Sequence, residues 1–194
     1  MGGLIALALL LAHPAAPAVE APQIVWIDLA GTPAAAERAA QEEATRLLRQ
    51  VGLEVRWRHG APADVLEGGE LAVILVPRDR AARPGTFVLG ACNARSATPR
   101  AWIFLDSLQW ALGLRSLDAP ADSNELGVAL GRIVAHEVLH AVAPAMEHAH
   151  AGLMSARLDR TALLGPHLAI DPGTRRFLSR LGAVQRASLG GVSD

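Results

Sequence analysis

The chain has no tyrosine and no lysine, and it holds a single cysteine, Cys92, in 194 residues. One thiol excludes an internal disulfide framework and the zinc sites built from several thiolates. All 18 basic residues are therefore arginine; with 19 acidic ones they leave a formal net charge of -1. No block of like charge stands out, so the electrostatic footprint of a nucleic-acid-binding surface is missing. The apolar run Leu4–Ala12 falls far short of the ~20 residues that a membrane-spanning helix needs. It does fit the apolar region of a secretory signal peptide, because Ala16-Pro17-Ala18 forms a small-x-small cleavage pattern behind it. This assigns residues 1–18 to a signal peptide and 22–188 to one domain, placed in the periplasm or outside a bacterial-type cell. The length suits one core and is too short for two comfortable ones.

Apolar periodicity then divides the chain into elements. The β-branched run QIVWIDL (23–29) predicts a buried strand. A helix follows, with Thr32 as N-cap, Pro33 at the first helical position and Gly52 past the end. Ala40, Ala44, Leu47, Leu48 and Val51 share its apolar face. LEVRWRH (53–59), LAVILVP (71–77), TFVLGA (86–91) and AWIFLD (101–106) predict four more strands. Strand–helix–strand at the start implies a right-handed parallel crossover. The last three strands have no room for helices between them, so at least one runs antiparallel, at an edge. A short helical segment over 107–114 and a polar loop over 119–125, with Asp122 and Ser123 as caps, lead into a long helix over about 124–143. In that helix Gly127 and Gly131 lie one turn apart and predict close packing on the sheet. Asp171-Pro172 opens a last helix with Phe177, Leu178 and Leu181 on one side, stopped by Gly182. The fold class is α/β: a mixed five-stranded sheet with an antiparallel edge strand, one long helix before the second strand, a histidine-bearing helix and a C-terminal helix.

Four of the seven histidines crowd into AHEVLHAVAPAMEHAHAGLMSA, residues 135–156. His136-Glu137-Val138-Leu139-His140 is an HExxH motif inside the long helix. Its i, i+4 spacing puts both imidazoles on one face, where they can reach one zinc ion at about 2.0–2.1 Å. Glu137 then sits beside them as a base for a water polarised by the ion. A catalytic zinc needs a third protein ligand and one open position. Glu147 lies too close to His140 to belong to a separate helix, and Asp159 and Asp171 are more remote. His148 and His150 are nearer and softer donors. Pro144 ends the helix within a turn of His140 and lets the chain fold back towards the ion.

The stretch resembles the metzincin clan of zinc peptidases, whose signature HExxHxxGxxH is followed by a methionine turn. Here Ala143 stands at the glycine position and Met146 at the third histidine. The spacing is more similar to a metzincin-like group of secreted bacterial proteins that read HExxHxxxGxxxHxxxGIM. In that frame His148 is the third ligand, Gly152-Leu153-Met154 is the turn, and Pro144 replaces a glycine. The order of elements ahead of the motif also resembles a metzincin core. The resemblance implies one catalytic Zn²⁺ held by His136, His140 and His148, with Glu137 as general base in peptide-bond hydrolysis. It makes Met154 an apolar floor that does not ligate. His150 stays open between a substitute ligand, an oxyanion donor and a surface residue. The implied partner is a peptide or protein in extended conformation along the edge strand 86–91. Cys92, directly after that strand, reads as a buried thiol, with a latency ligand as the alternative. The function implied is a secreted zinc metallopeptidase. The alternative is a zinc-binding secreted domain of the same fold without efficient proteolysis. The missing tyrosine and Pro144 favour that alternative; Glu137 opposes it, since a structural site needs no base. The export reading predicts a mature N-terminus near Val19. N-terminal sequencing of secreted material checks it, and an intact Met1 on cytosolic protein contradicts it.

Overall fold

The computed structural model describes residues 21–78, 88–114 and 120–180. The expected signal peptide (1–18), residues 86–87 of the expected edge strand, and Leu181 and Gly182 of the expected last helix lie outside the described residues. Five strands are described: β1 (Gln23–Asp28), β2 (Arg56–His59), β3 (Glu70–Val76), β4 (Gly90–Asn93) and β5 (Arg100–Phe104). The helices are α1 (Ala34–Arg49), α2 (Leu105–Leu112), α3 (Pro120–Val142) and α4 (Arg160–Leu164). Residues 172–180 form a further helix, α5.

The sheet runs β2-β1-β3-β5-β4. β1 is parallel to β2 and β3, and β3 to β5, while β4 pairs antiparallel with β5 at the edge. The mixed sheet with one antiparallel edge is as expected, but the edge strand lies later than 86–91. Its register, Gly90↔Ile103 through Asn93↔Arg100, follows from the tight reversal between Asn93 and Arg100, a connection that only antiparallel neighbours tolerate. Val88 and Leu89 precede the strand instead of forming it.

Two capping expectations are corrected. Thr32 does not cap α1: Pro33 holds the cap position without a side-chain bond. The Asp28 carboxylate instead accepts the N–H groups of Ala30, Gly31 and Thr32 at 2.8, 3.1 and 2.7 Å, and so shapes the turn that leads into α1. The polar stretch 119–125 is largely helix, because α3 already begins at Pro120. A proline at the first helical position forfeits no hydrogen bond, and Asp122 in the first turn faces the positive end of the helix dipole.

The helices cover one face of the sheet. Ile24, Trp26, Leu71, Val73, Leu75, Ala101 and Ile103 form one core with α1, α2 and α3. The other face carries a small cluster of Val25, Ile27 and Ala72, against which Leu66 and Ile74 pack. Gly127 and Gly131 serve close packing, but on α1, not on the sheet. A Cβ at Gly127 would lie 2.6 Å from the Ala36 carbonyl oxygen, and one at Gly131 2.5 Å from that of Ala40. Small residues on both helices thus let the two backbones nearly touch.

That approach places Arg132, which is only 3% exposed. Its guanidinium donates to Glu43 Oε1 of α1 at 3.0 Å, to the Ala162 carbonyl at 2.7 Å and to the Gly165 carbonyl at 2.8 Å. One side chain in the middle of α3 therefore ties α1 to the segment that follows the histidine cluster. Breaking such a buried pair costs roughly 3–5 kcal/mol, because the remaining partner stays buried and uncompensated.

Candidate metal centre

The last two turns of α3 carry His136, Glu137 and His140 on a helix that is apolar nearly all round, so these side chains are drawn into the fold with it. His136 and Glu137 are buried, and His140 is half-buried. α3 stops at Val142. Met146 N–H then donates to the Ala143 carbonyl at 2.8 Å, closing a turn through Pro144 without any positive φ outside glycine among the described residues. The chain doubles back and delivers His148 to the two helix histidines.

A second turn holds it there. Ala149 N–H donates to the Met154 carbonyl at 2.7 Å, and Leu153 N–H to the Ala169 carbonyl at 2.8 Å. Gly152 has φ +81°, and a Cβ there would lie 2.4 Å from the Ala169 oxygen, so glycine is required on both counts. Leu153 and Met154 are fully buried in the main core. The Leu153 carbonyl, held by this turn, lies 2.8 Å from His136 Nδ1. A carbonyl only accepts, so Nδ1 carries the proton and Nε2 keeps its lone pair.

The three ε nitrogens converge. His140 Nε2 lies 3.1 Å from His136 Nε2 and 3.1 Å from His148 Nε2. The His136 and His148 rings stack at 5.3 Å, while His140 stands edge-on to both. Nitrogens on a tetrahedral zinc, with bonds of about 2.0–2.1 Å, lie about 3.3–3.4 Å apart. The arrangement fits a single cation: lone pairs this close need either a shared proton or a positive ion between them. Among the described residues, His136, His140 and His148 form the group able to hold a metal ion.

His150 is exposed and lies outside this group. Asp159 and Asp171 are engaged elsewhere: Asp159 caps α4 by accepting from Ala162 N–H at 2.8 Å, and Asp171 accepts from Thr174 N–H at 3.0 Å. Glu147 is exposed. Cys92 lines the same cleft as the imidazoles. Its thiol is pushed up to about 11 by burial and by nearby Glu137, so it stays protonated at neutral pH.

Burial sets the electrostatics. It lowers the His136 pKa to about 4, against the opposing hydrogen bond to Leu153, and the neighbouring His140 and His148 lower it further. His140 is lowered in the same way, by burial and by His148. Both rings are neutral at pH 7, the state that ligates metals. Burial also raises Glu137 to about 7, so a carboxyl that exchanges protons near neutral pH sits next to two histidines of the group able to hold a metal ion.

The site opens into a cleft of about 1060 Å³ bounded by residues 88–92, by Trp110 and Ala111 of α2, by α3, and by residues 155–160. The cleft has an apolar rim, with Trp110 63% and Val88 37% exposed. β4 forms one side. Phe104 N–H donates to the Leu89 carbonyl at 3.0 Å. By antiparallel alternation the main-chain groups of Gly90 and Cys92 therefore face away from β5, along an edge that no described strand pairs with. Sequence reasoning missed Arg132, Trp110, the Leu153 carbonyl and Gly90. A lone arginine in GVALGRIVA and a glycine inside a strand were the available signals.

No protein-family model and no curated sequence matches the chain. Its fold matches solved structures. A zinc-dependent peptidase from Methanocorpusculum labreanum aligns with TM-score 0.57 and 15% identity over 80% of this chain and 98% of that one. Archaemetzincin from Methanopyrus kandleri aligns with TM-score 0.55 and 12% identity over 81% and 93%. At that identity the likeness establishes a shared fold.

The geometry predicts that His148→Ala weakens zinc binding far beyond the ~10–100-fold typical of an outer partner, while His150→Ala leaves stoichiometry near one. Titration against a competing chelator reads both variants. Loss of metal from the His150 variant alone contradicts the assignment.

Proposed function

We propose that the chain is a secreted, metzincin-like zinc metallopeptidase that cleaves extended peptides. The observation that carries this reading is the convergence of three ε nitrogens beside a buried carboxyl, in a cleft walled by the outermost of the described strands. The fold shared with a zinc-dependent peptidase and with an archaemetzincin supports it. Export by residues 1–18 belongs to the same proposal.

His136, His140 and His148 hold the ion as neutral imidazoles. When bound there, zinc supplies a Lewis acid that polarises a carbonyl and makes water more acidic. Glu137 takes a proton from water as its oxygen attacks the scissile carbonyl carbon. It then gives that proton to the leaving amine nitrogen as the C–N bond breaks. A carboxyl raised by burial to about 7 can both take and return a proton near neutral pH. The substrate main chain pairs with Gly90 and Cys92 along the open edge of β4, and Val88 and Trp110 offer apolar contact to its side chains. The chain has no tyrosine to donate to an oxyanion, so that stabilisation would come from the charge of a bound ion.

Digestion of a broad peptide library, with a chelator control, tests the reading. Chelator-sensitive cleavage is expected. Glu137→Gln keeps the side chain's shape and removes its base, so zinc stays bound while hydrolysis falls at least ~10²-fold. Cleavage that survives this change contradicts the mechanism.

A further inference from the structure

Five glycines among the described residues take positive φ, namely Gly31, Gly52, Gly69, Gly113 and Gly152, and Gly90 is not among them. Its place in β4 therefore makes no conformational demand for glycine. Glycine inside a strand also weakens it, since it brings no side chain to pack. The residue needs another reason.

Space provides one. A Cβ at Gly90 would lie 2.7 Å from Glu137 Oε1, 2.9 Å from its Cγ and 3.1 Å from its Cδ. Real Cβ contacts under 3.0 Å essentially never occur. The three nearest atoms all belong to the Glu137 side chain, so a methyl group here displaces Glu137 before it strains the sheet. Gly90 and Cys92 share one face of β4 by strand alternation, and both line the cleft with Glu137.

We propose that Gly90 is a positioning residue: its bare Cα reserves the space in which the Glu137 carboxylate lies beside the three imidazoles. A side chain at 90 turns that carboxylate away first, since the three atoms nearest the added Cβ all belong to Glu137, and the imidazoles keep their places. The functional consequence rests on Glu137 being the base, as proposed above; the packing contact does not.

A double-mutant cycle on the full chain separates the two. Gly90→Ala alone is expected to lower the melting temperature and to leave zinc stoichiometry near one. It should lower kcat by roughly 10- to 10²-fold, the cost of about an ångström of misplacement, with KM changed by less than about two-fold. In a Glu137→Ala background the methyl has room, and the melting-temperature cost of Gly90→Ala should vanish or reverse. Should Gly90→Ala fail to fold, recovery of folding in the double variant supports the proposal and continued failure overturns it. An equal melting-temperature cost in both backgrounds overturns it, as does a kcat within about two-fold of wild type. Coupling without any wild-type peptidase activity upholds the packing and overturns the peptidase reading instead.

Discussion

The hydrogen bond from His136 Nδ1 to the Leu153 carbonyl, 2.8 Å long, joins the two segments on which the site is built. It fixes the imidazole tautomer and ring plane, and it does so only while the 149–155 turn is held against the end of α3. The turn is held by Gly152, whose backbone no other residue type could adopt beside Ala169. Leu153 and Met154 sink into the core beneath it. One turn earlier on α3, Arg132 grips the α4 region and α1 together. The geometry of the three histidines thus depends on helix packing: the α1–α3 contact, close because Gly127 and Gly131 face Ala36 and Ala40, fixes how α3 lies, and Pro144 follows its end.

Electrostatically the site is poised for a cation. Burial disfavours charge on both His136 and Glu137, lowering the first to about 4 and raising the second to about 7. Neutral imidazoles are ready to donate lone pairs, and a divalent ion beside Glu137 offsets the cost of ionising it in a buried place. Cys92, its thiol raised by burial and the same carboxyl, lies outside the group of three histidines able to hold a metal ion. Three converging nitrogens and a buried carboxyl share the wall of an open cleft, and under the proposed function that carboxyl is the base that a structural site would not need.

Much of this was legible in the sequence because it is local. The i, i+4 histidines, the helix-ending Pro144 and the short connections that force an antiparallel edge strand all lie within a few residues of their consequences. His148 was legible only through its spacing from Gly152-Leu153-Met154. The rest is set by partners distant in sequence. The edge strand's register depends on Arg100–Phe104, so an apolar run alone placed it too early. Gly127 and Gly131 announced close packing, but their partners on α1 could not be read from α3. Arg132 looked like a break in an apolar pattern and is a buried tie, and Gly90 acquires its meaning only when α3 lies against β4.

The central claim is that three imidazoles and no thiolate bind one zinc ion at the end of α3. X-ray absorption at the zinc edge on the loaded, full-length protein tests it directly. The expected spectrum has three imidazole nitrogens and one further light ligand, all at about 2.0–2.2 Å. A sulfur neighbour at about 2.3 Å, or a coordination shell unchanged by His148→Ala, would contradict it.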